Sequence, residues 1–412
     1  MKMTRIPRVS ATFMRMVLLS YPVLILPSGN PLYRPRPLWQ ELLQGKEKSE
    51  RAVGCDKAPP WRIGVAFLDE VAEQPAVLRE LIEFYGRREG RSLLTNARTV
   101  AGVSPRSYLF TGMGTSEHAP HAVADRLADA ASVPVVIRDA GELLHYGLRT
   151  VNFHDTVFAV SQSGESIETR KVVESLKGHP RLIAITNNPE STMARLARAN
   201  LPLLAGTEAS ISTKTYSNTL ALLALLPEAL TGREITATLG ALEGVAGQME
   251  EWVETRATEA RAAAEFLQGG NAITFVARGP SMAAARQAAL TFQEGVHLHT
   301  CALTGGAFRH GPMEMIGPDS CAVFFADSYP AGDLVRRMAA ETASLGARVV
   351  LFSAKPAESA KTMTVLLIPC PEPVIFPLAC SVAQELMLEQ MARDRGLVAG
   401  EFRRSGKITI TE

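Results

Sequence analysis

"YLFTGMGTSEHAPHAVADRLADA", residues 108–130, decides the fold, because the chain repeats its plan. An apolar run of β type enters a turn of small residues and passes into an Ala-rich stretch with helical periodicity. "AITFVARGPSMAAARQAALTFQE", residues 272–294, does the same. Phe110 pairs with Phe275, Gly114 with Gly279 and Ser116 with Ser281, each 165 residues apart. The same offset lays "TVFAVSQSGES" (156–166) on "CAVFFADSYPA" (321–331), each an apolar run before a polar turn. "RLIAITNN" (181–188) and "RVVLFSA" (348–354) follow almost in step. Strand–turn–helix units repeated in this way favour parallel sheets with helices on both faces. The expectation is an α/β chain of two tandem domains of like fold, each a three-layer αβα sandwich. The first is placed at 61–240 and the second at 241–412, with 1–60 as an N-terminal extension.

The bulk composition limits what such a chain does. Across 412 residues, 43 basic and 42 acidic side chains nearly cancel, 46% of residues are hydrophobic and 6% are aromatic. That profile excludes disorder and a strongly basic nucleic-acid binder, and no basic stripe interleaved with aromatics marks a nucleic-acid surface. The five cysteines (Cys55, Cys301, Cys321, Cys370, Cys380) lie far apart, without the close pairing of a zinc or redox motif, so reduced thiols in a cytoplasmic protein are expected. Met16–Leu26 is apolar behind a basic start, but Pro22 interrupts it and no clean small-x-small cleavage site follows. Residues 27–60, rich in Pro and charge, read as a poorly ordered extension or as a start assigned too far upstream. No stretch is long enough to span a bilayer.

In open parallel sheets, ligands collect at the carboxyl ends of strands. Three polar turns fall there: "GMGTSEH" (112–118), "SQSGESIET" (161–169) and "ISTKTYSNTL" (211–220). The second is not a nucleophile elbow, because the positions two residues either side of Ser163 hold Ser161 and Glu165 instead of glycine. Hydroxyls and free backbone N–H groups at a helix N-terminus suit a phosphate. Ordinary N-capping uses the same residue types. Three such turns in one domain favour a small anionic ligand.

The second domain carries candidate acid–base groups. Glu294 ends an apolar helix that begins near Met282, either as a solvated terminus or turned into a pocket. His310 stands between Arg309 and Gly311-Pro312, where a turn would hold the imidazole. His297 and His299 alternate with apolar residues and lack a third ligand at metal spacing, so they read as structural or substrate-lining. In the tail "GEFRRSGKITITE" (400–412), Lys407 is solvated unless the tail folds over a site, where desolvation would suit imine formation with a sugar carbonyl.

Together these segments resemble the SIS (sugar isomerase) family, in particular the isomerase half of glutamine–fructose-6-phosphate aminotransferases and their shorter deaminase relatives. The likeness runs from about residue 68 to the end. It rests on Gly114-Thr115-Ser116, Ser161-Gln162-Ser163-Gly164-Glu165-Ser166, Ser212-Thr213-Lys214 and His310-Gly311-Pro312. A glutamate sixteen residues before the histidine falls on Glu294, and a lysine five residues from the end on Lys407. The resemblance implies two tandem SIS domains. It implies sugar-phosphate binding by Thr115, Ser116, Ser161, Gln162, Ser163, Ser166, Ser212 and Lys214, ring opening by His310, proton transfer between C1 and C2 by Glu294, and an imine at Lys407. It also implies a homodimer in which His310 reaches the neighbour's site, a sugar-phosphate substrate with ammonia or a small amine, and no cofactor, metal, nucleic acid or membrane.

The sequence departs from the pattern in three places. The glutamine-hydrolysing half is absent, so ammonia is expected free. Thr291 replaces the synthase's lysine three residues before the glutamate, and Ala307 replaces an acidic residue three before the histidine. The expected activity is conversion of an amino-sugar 6-phosphate, such as glucosamine 6-phosphate, to the ketose 6-phosphate plus ammonia. The alternatives are a deglycase of a phosphorylated sugar–amino-acid adduct, an isomerising aminotransferase subunit without its glutaminase, and a non-catalytic sugar-phosphate sensor. Retention of Glu294, His310 and Lys407, with no evident helix-turn-helix, favours an enzyme over the sensor.

Overall fold

The computed structural model describes residues 63–404 and 406–409, with side chains from Phe67. The extension expected at 1–60 lies outside the described residues. Two parallel five-stranded sheets form the framework. The first holds β1 (Tyr108–Gly112), β2 (Val135–Asp139), β3 (Thr156–Val160), β4 (Leu182–Thr186) and β5 (Ala199–Pro202) in the order β2-β1-β3-β4-β5. The second holds β6 (Ala272–Ala277), β7 (His299–Thr304), β8 (Cys321–Ala326), β9 (Arg348–Ser353) and β10 (Met363–Leu367) in the order β7-β6-β8-β9-β10. The two orders coincide when each strand is matched to its repeat. Register follows the repeat too: Phe110 lies between Ile137 and Phe158, and Phe275 between Ala302 and Val323.

The apolar runs are buried because helices cover both faces of each sheet. Strands β1, β3, β4 and β8 are buried throughout, whereas the edge strands β2 and β7 are partly exposed. That edge position leaves His299 exposed, whereas His297 is exposed in the left-handed cap that ends the helix Met282–Val296. The helices used below are α1 (Ile63–Gly86), α2 (Arg88–Ala101), α3 (Ile167–Ser175), α4 (Lys214–Thr231), α5 (Thr236–Glu251), α6 (Met282–Val296), α7 (Pro330–Ser344) and α8 (Phe376–Asp394). Every residue of α4 from Lys214 to Pro227, and of α8 from Phe376 to Glu389, is buried. Helices apolar on all sides belong in a core. Here they join one that contains Phe110 and Phe158 of the first sheet with Phe275, Phe325 and Phe352 of the second. Among the described residues, no helix is long and apolar enough to cross a membrane.

Candidate active site

The carboxyl end of β3 runs straight into the turn 161–166. Gly164 adopts φ +66°, and a Cβ there would stand 2.2 Å from the Ser191 hydroxyl, so glycine alone fits. The Ser161 hydroxyl accepts from the Gly164 N–H at 3.1 Å, and the Ser163 hydroxyl accepts from the Glu165 N–H at 3.1 Å. The Gln162 carbonyl accepts from the Thr186 hydroxyl and from the Asn187 N–H, both at 3.1 Å. The Glu165 carboxylate accepts from the Thr192 N–H at 2.6 Å. These bonds curl the turn into a loop whose buried serines, Ser161 and Ser163, are fixed in place. Ser166 occupies the N-cap of α3 but makes no side-chain capping bond there. Simple capping therefore does not account for this serine.

Two further turns pack against α6. After β1, Thr115 and Ser116 open the short helix Thr115–His118. A Cβ on Gly114 would meet Leu290 of α6 at 3.2 Å, and Glu117 lies 3.6 Å from Arg286 of the same helix. Farther along α6, a Cβ on Gly295 would meet Ile211 at 3.4 Å and Leu388 at 2.9 Å. Helix α6 thus carries Glu294 past the first turn to the 211–215 turn. Glu294 is half-buried, and that burial pushes its carboxyl up to about 7 from an ordinary 4.5, against the opposing pull of the Lys407 charge. A carboxylate poised near neutrality suits a general base.

Lys407 arrives from the tail. Gly400 (φ +81°) passes so close to Ser210 that a Cβ would stand 2.7 Å from the Ser210 Cβ, and the Thr409 carbonyl then accepts from the Ile167 N–H at 3.1 Å, at the start of α3. The tail therefore lies over the serine turn. The Lys407 Nζ donates to Glu208 Oε2 at 2.5 Å and to the Ser210 carbonyl at 2.6 Å.

Not every residue expected at the site is brought there. The Lys214 amine is buried and donates to Glu73 at 2.5 Å and to the Thr207 carbonyl at 2.7 Å, so both contacts are structural. Ser212 lies in the 211–215 turn without a side-chain hydrogen bond among the described residues. His310 follows the short helix Gly305–Arg309, capped by Thr304, and is exposed. Among the described residues, nothing joins it to Glu294 or to the serine turn. Residues missed at sequence level include Glu208, which stands alone in "LAGTEAS" with no spacing to mark it.

The fold and this arrangement define a class: paired parallel α/β domains with a hydroxyl-lined turn at one strand end and a carboxylate and a lysine beside it. Residues 103–229 and 266–392 each match the SIS domain, and the chain belongs to that family. The glutamine–fructose-6-phosphate aminotransferase (isomerizing) of Aeropyrum pernix is 33% identical over 316 residues, 71% of this chain and 49% of that one. The enzyme of the same name from Bacillus subtilis is 28% identical over 356 residues, 84% and 58% of the respective chains. The chain spans only about half the length of these curated relatives. The fold matches the C-terminal domain of glucosamine-fructose-6-phosphate aminotransferase from Francisella tularensis with a TM-score of 0.73 at 20% identity, over 82% of this chain and 98% of that one. It also matches glucosamine-6-phosphate deaminase from Thermotoga maritima with a TM-score of 0.65 at 18% identity, over 83% and 99%.

Proposed function

We propose that the protein is a sugar-phosphate isomerase that deaminates an amino-sugar 6-phosphate, taking glucosamine 6-phosphate or a close analogue to the ketose 6-phosphate and ammonia. The observation that carries this reading is the tail: it delivers Lys407 to within electrostatic reach of Glu294 while its Thr409 carbonyl caps the helix that begins at the serine turn. A phosphate held by Ser116, Ser161, Ser163 and Ser166 would fix one end of the sugar and supply binding energy remote from the bond changes. In the opened sugar, Glu294 takes the C2 proton while a proton is delivered to the C1 oxygen, and Glu294 then returns its proton to C1. The C1 aldehyde becomes an alcohol and the C2 amine an imine. The Lys407 amine adds to C2, ammonia leaves, and water releases the ketose from the resulting imine. His310, exposed beside the exposed Met315, is read as the ring-opening group of a neighbouring subunit's site in a homodimer.

The same groups serve the reverse direction, amination of the ketose phosphate by free ammonia, and the names of the sequence relatives favour testing both. Incubation with glucosamine 6-phosphate is expected to release ammonia, and Glu294→Gln to abolish release while sugar-phosphate binding persists. Tight binding with no turnover in either direction would count against the reading and for a sensor.

A further inference from the structure

Glu208 has no place in the chemistry above, yet it is the most heavily engaged carboxylate near Lys407. It follows β5 in a loop, and its side chain is fully shielded from solvent. Oε1 accepts from the Thr213 N–H at 2.9 Å, the Thr213 hydroxyl at 3.2 Å and the Thr215 N–H at 2.9 Å. Oε2 accepts from the Thr215 hydroxyl at 2.7 Å and from Lys407 at 2.5 Å. An isolated buried carboxylate is strongly disfavoured, so these five donors hold one another in place.

The surrounding charges leave Lys407 as its cation. Lys214, on the same turn, is taken by Glu73. Glu70 accepts from the N–H groups of Ala209 and Ser210 and from the Ser210 hydroxyl. Glu385 is hydrogen-bonded to Gln74, and burial with Glu208 and Glu70 nearby pushes its carboxyl up, toward the neutral acid. The Lys407 side chain, by contrast, keeps 21% of its surface exposed.

We propose that Glu208 is the positioning residue for Lys407: it clamps the C-terminal tail onto the 211–215 turn, fixes the amine beside Glu294, and faces the cationic imine as its counter-ion. The inference rests on the reading of Lys407 as the imine-forming group. The clamp is local: among the described residues Glu208 pairs with Thr213, Thr215 and Lys407 and makes no hydrogen bond to the 161–166 turn, so removing its charge should leave phosphate binding alone.

The test uses the full chain with Glu208→Gln and Lys407→Met, and fructose 6-phosphate as the probe. Borohydride trapping is expected to mark Lys407 in the wild type and to fall at least about tenfold in Glu208→Gln. The fructose 6-phosphate Kd is expected to stay within about twofold, because the serine turn is untouched. Hydrogen exchange at the amides of residues 406–409 is expected to quicken in both variants. Full trapping in a folded Glu208→Gln protein would overturn the proposal. So would tail amides as protected in Lys407→Met as in the wild type, a result that does not depend on whether Glu208→Gln folds. If the wild type forms no adduct, the imine reading fails by itself, while tail exchange still judges the clamp.

Discussion

Replacing Glu294 by Gln should remove activity and, above neutrality, make the protein more stable. The carboxyl titrates near 4.5 when unfolded and at about 7 when folded, an interval worth about 3 kcal/mol. The folded state therefore holds its proton where the unfolded chain has already released it. Between these two values the folded state binds more protons, so stability falls as pH rises, and above about 7 the full penalty is in place. The Lys407 charge is already included in that balance, since it pulls the value down against burial. Part of the Glu294 surface remains in water, and screening reduces the expected difference to about 1–2 kcal/mol. Gln has nearly the same shape and no charge. At pH 8 the variant should thus unfold about 1–2 kcal/mol later than the wild type, whereas at pH 4 the two should coincide. Urea melts at both pH values measure the gap directly, and kcat/KM of the wild type should fall below about pH 7 as the base is protonated. A gap of equal size at both pH values would show that packing, not ionisation, separates the two proteins and would remove the basis for a poised base.

Gly164→Ala should destabilise the chain by about 1–3 kcal/mol and raise the sugar-phosphate KM, because φ +66° and the Ser191 hydroxyl leave no room for a methyl group; a thermal melt with a KM measurement checks both. Ser161→Ala should raise KM about tenfold with kcat nearly unchanged, since a fixed phosphate contributes uniform binding, and steady-state kinetics separates the two effects. Co-expressing Glu294→Gln with His310→Asn should restore about a quarter of wild-type activity if His310 completes the partner's site in a two-fold dimer, whereas each variant alone is inactive. Thiol reagents should modify exposed Cys301 ahead of Cys370, which burial pushes up to about 12, and ahead of buried Cys380; peptide mapping after brief labelling reads the order.

The repeat made the framework legible because parallel strands buried on both faces write themselves as apolar runs, and both copies keep that run, its turn and its helix. The site was legible only where chemistry forces a local pattern. The serine turn is one such place, since glycine at 164 and clustered hydroxyls are needed within a few residues. Contacts between distant segments leave no such mark. Glu208 meets Lys407 across 199 positions of chain, and no periodicity or spacing joins them. The role of the tail could be written only conditionally, because whether it folds back depends on Gly400 passing Ser210 and on Thr409 reaching Ile167.

The repeat also shows why two like domains need not carry two like sites. At the 165-residue offset, Ser161-Gln162-Ser163 becomes Ala326-Asp327-Ser328, and Ser116 becomes Ser281. Buried Asp327 accepts from the Ser281 hydroxyl at 2.9 Å and from the Tyr329 N–H at 3.0 Å, at the entrance to α7. The donors that a phosphate would use are thus turned onto a carboxylate supplied by the chain itself. A second anion brought there would meet like charge and donors already taken, which costs more than the helix N-terminus returns. The fold was duplicated with its strand order intact, while the turn at the strand end changed: Ser161, Gln162 and Ser166 give way to Ala326, Asp327 and Ala331, and the carboxylate among them takes up the neighbouring donors. The second domain is then left to present Glu294 from α6, and the two halves of one arrangement come from domains that share a backbone plan and differ in what their turns hold.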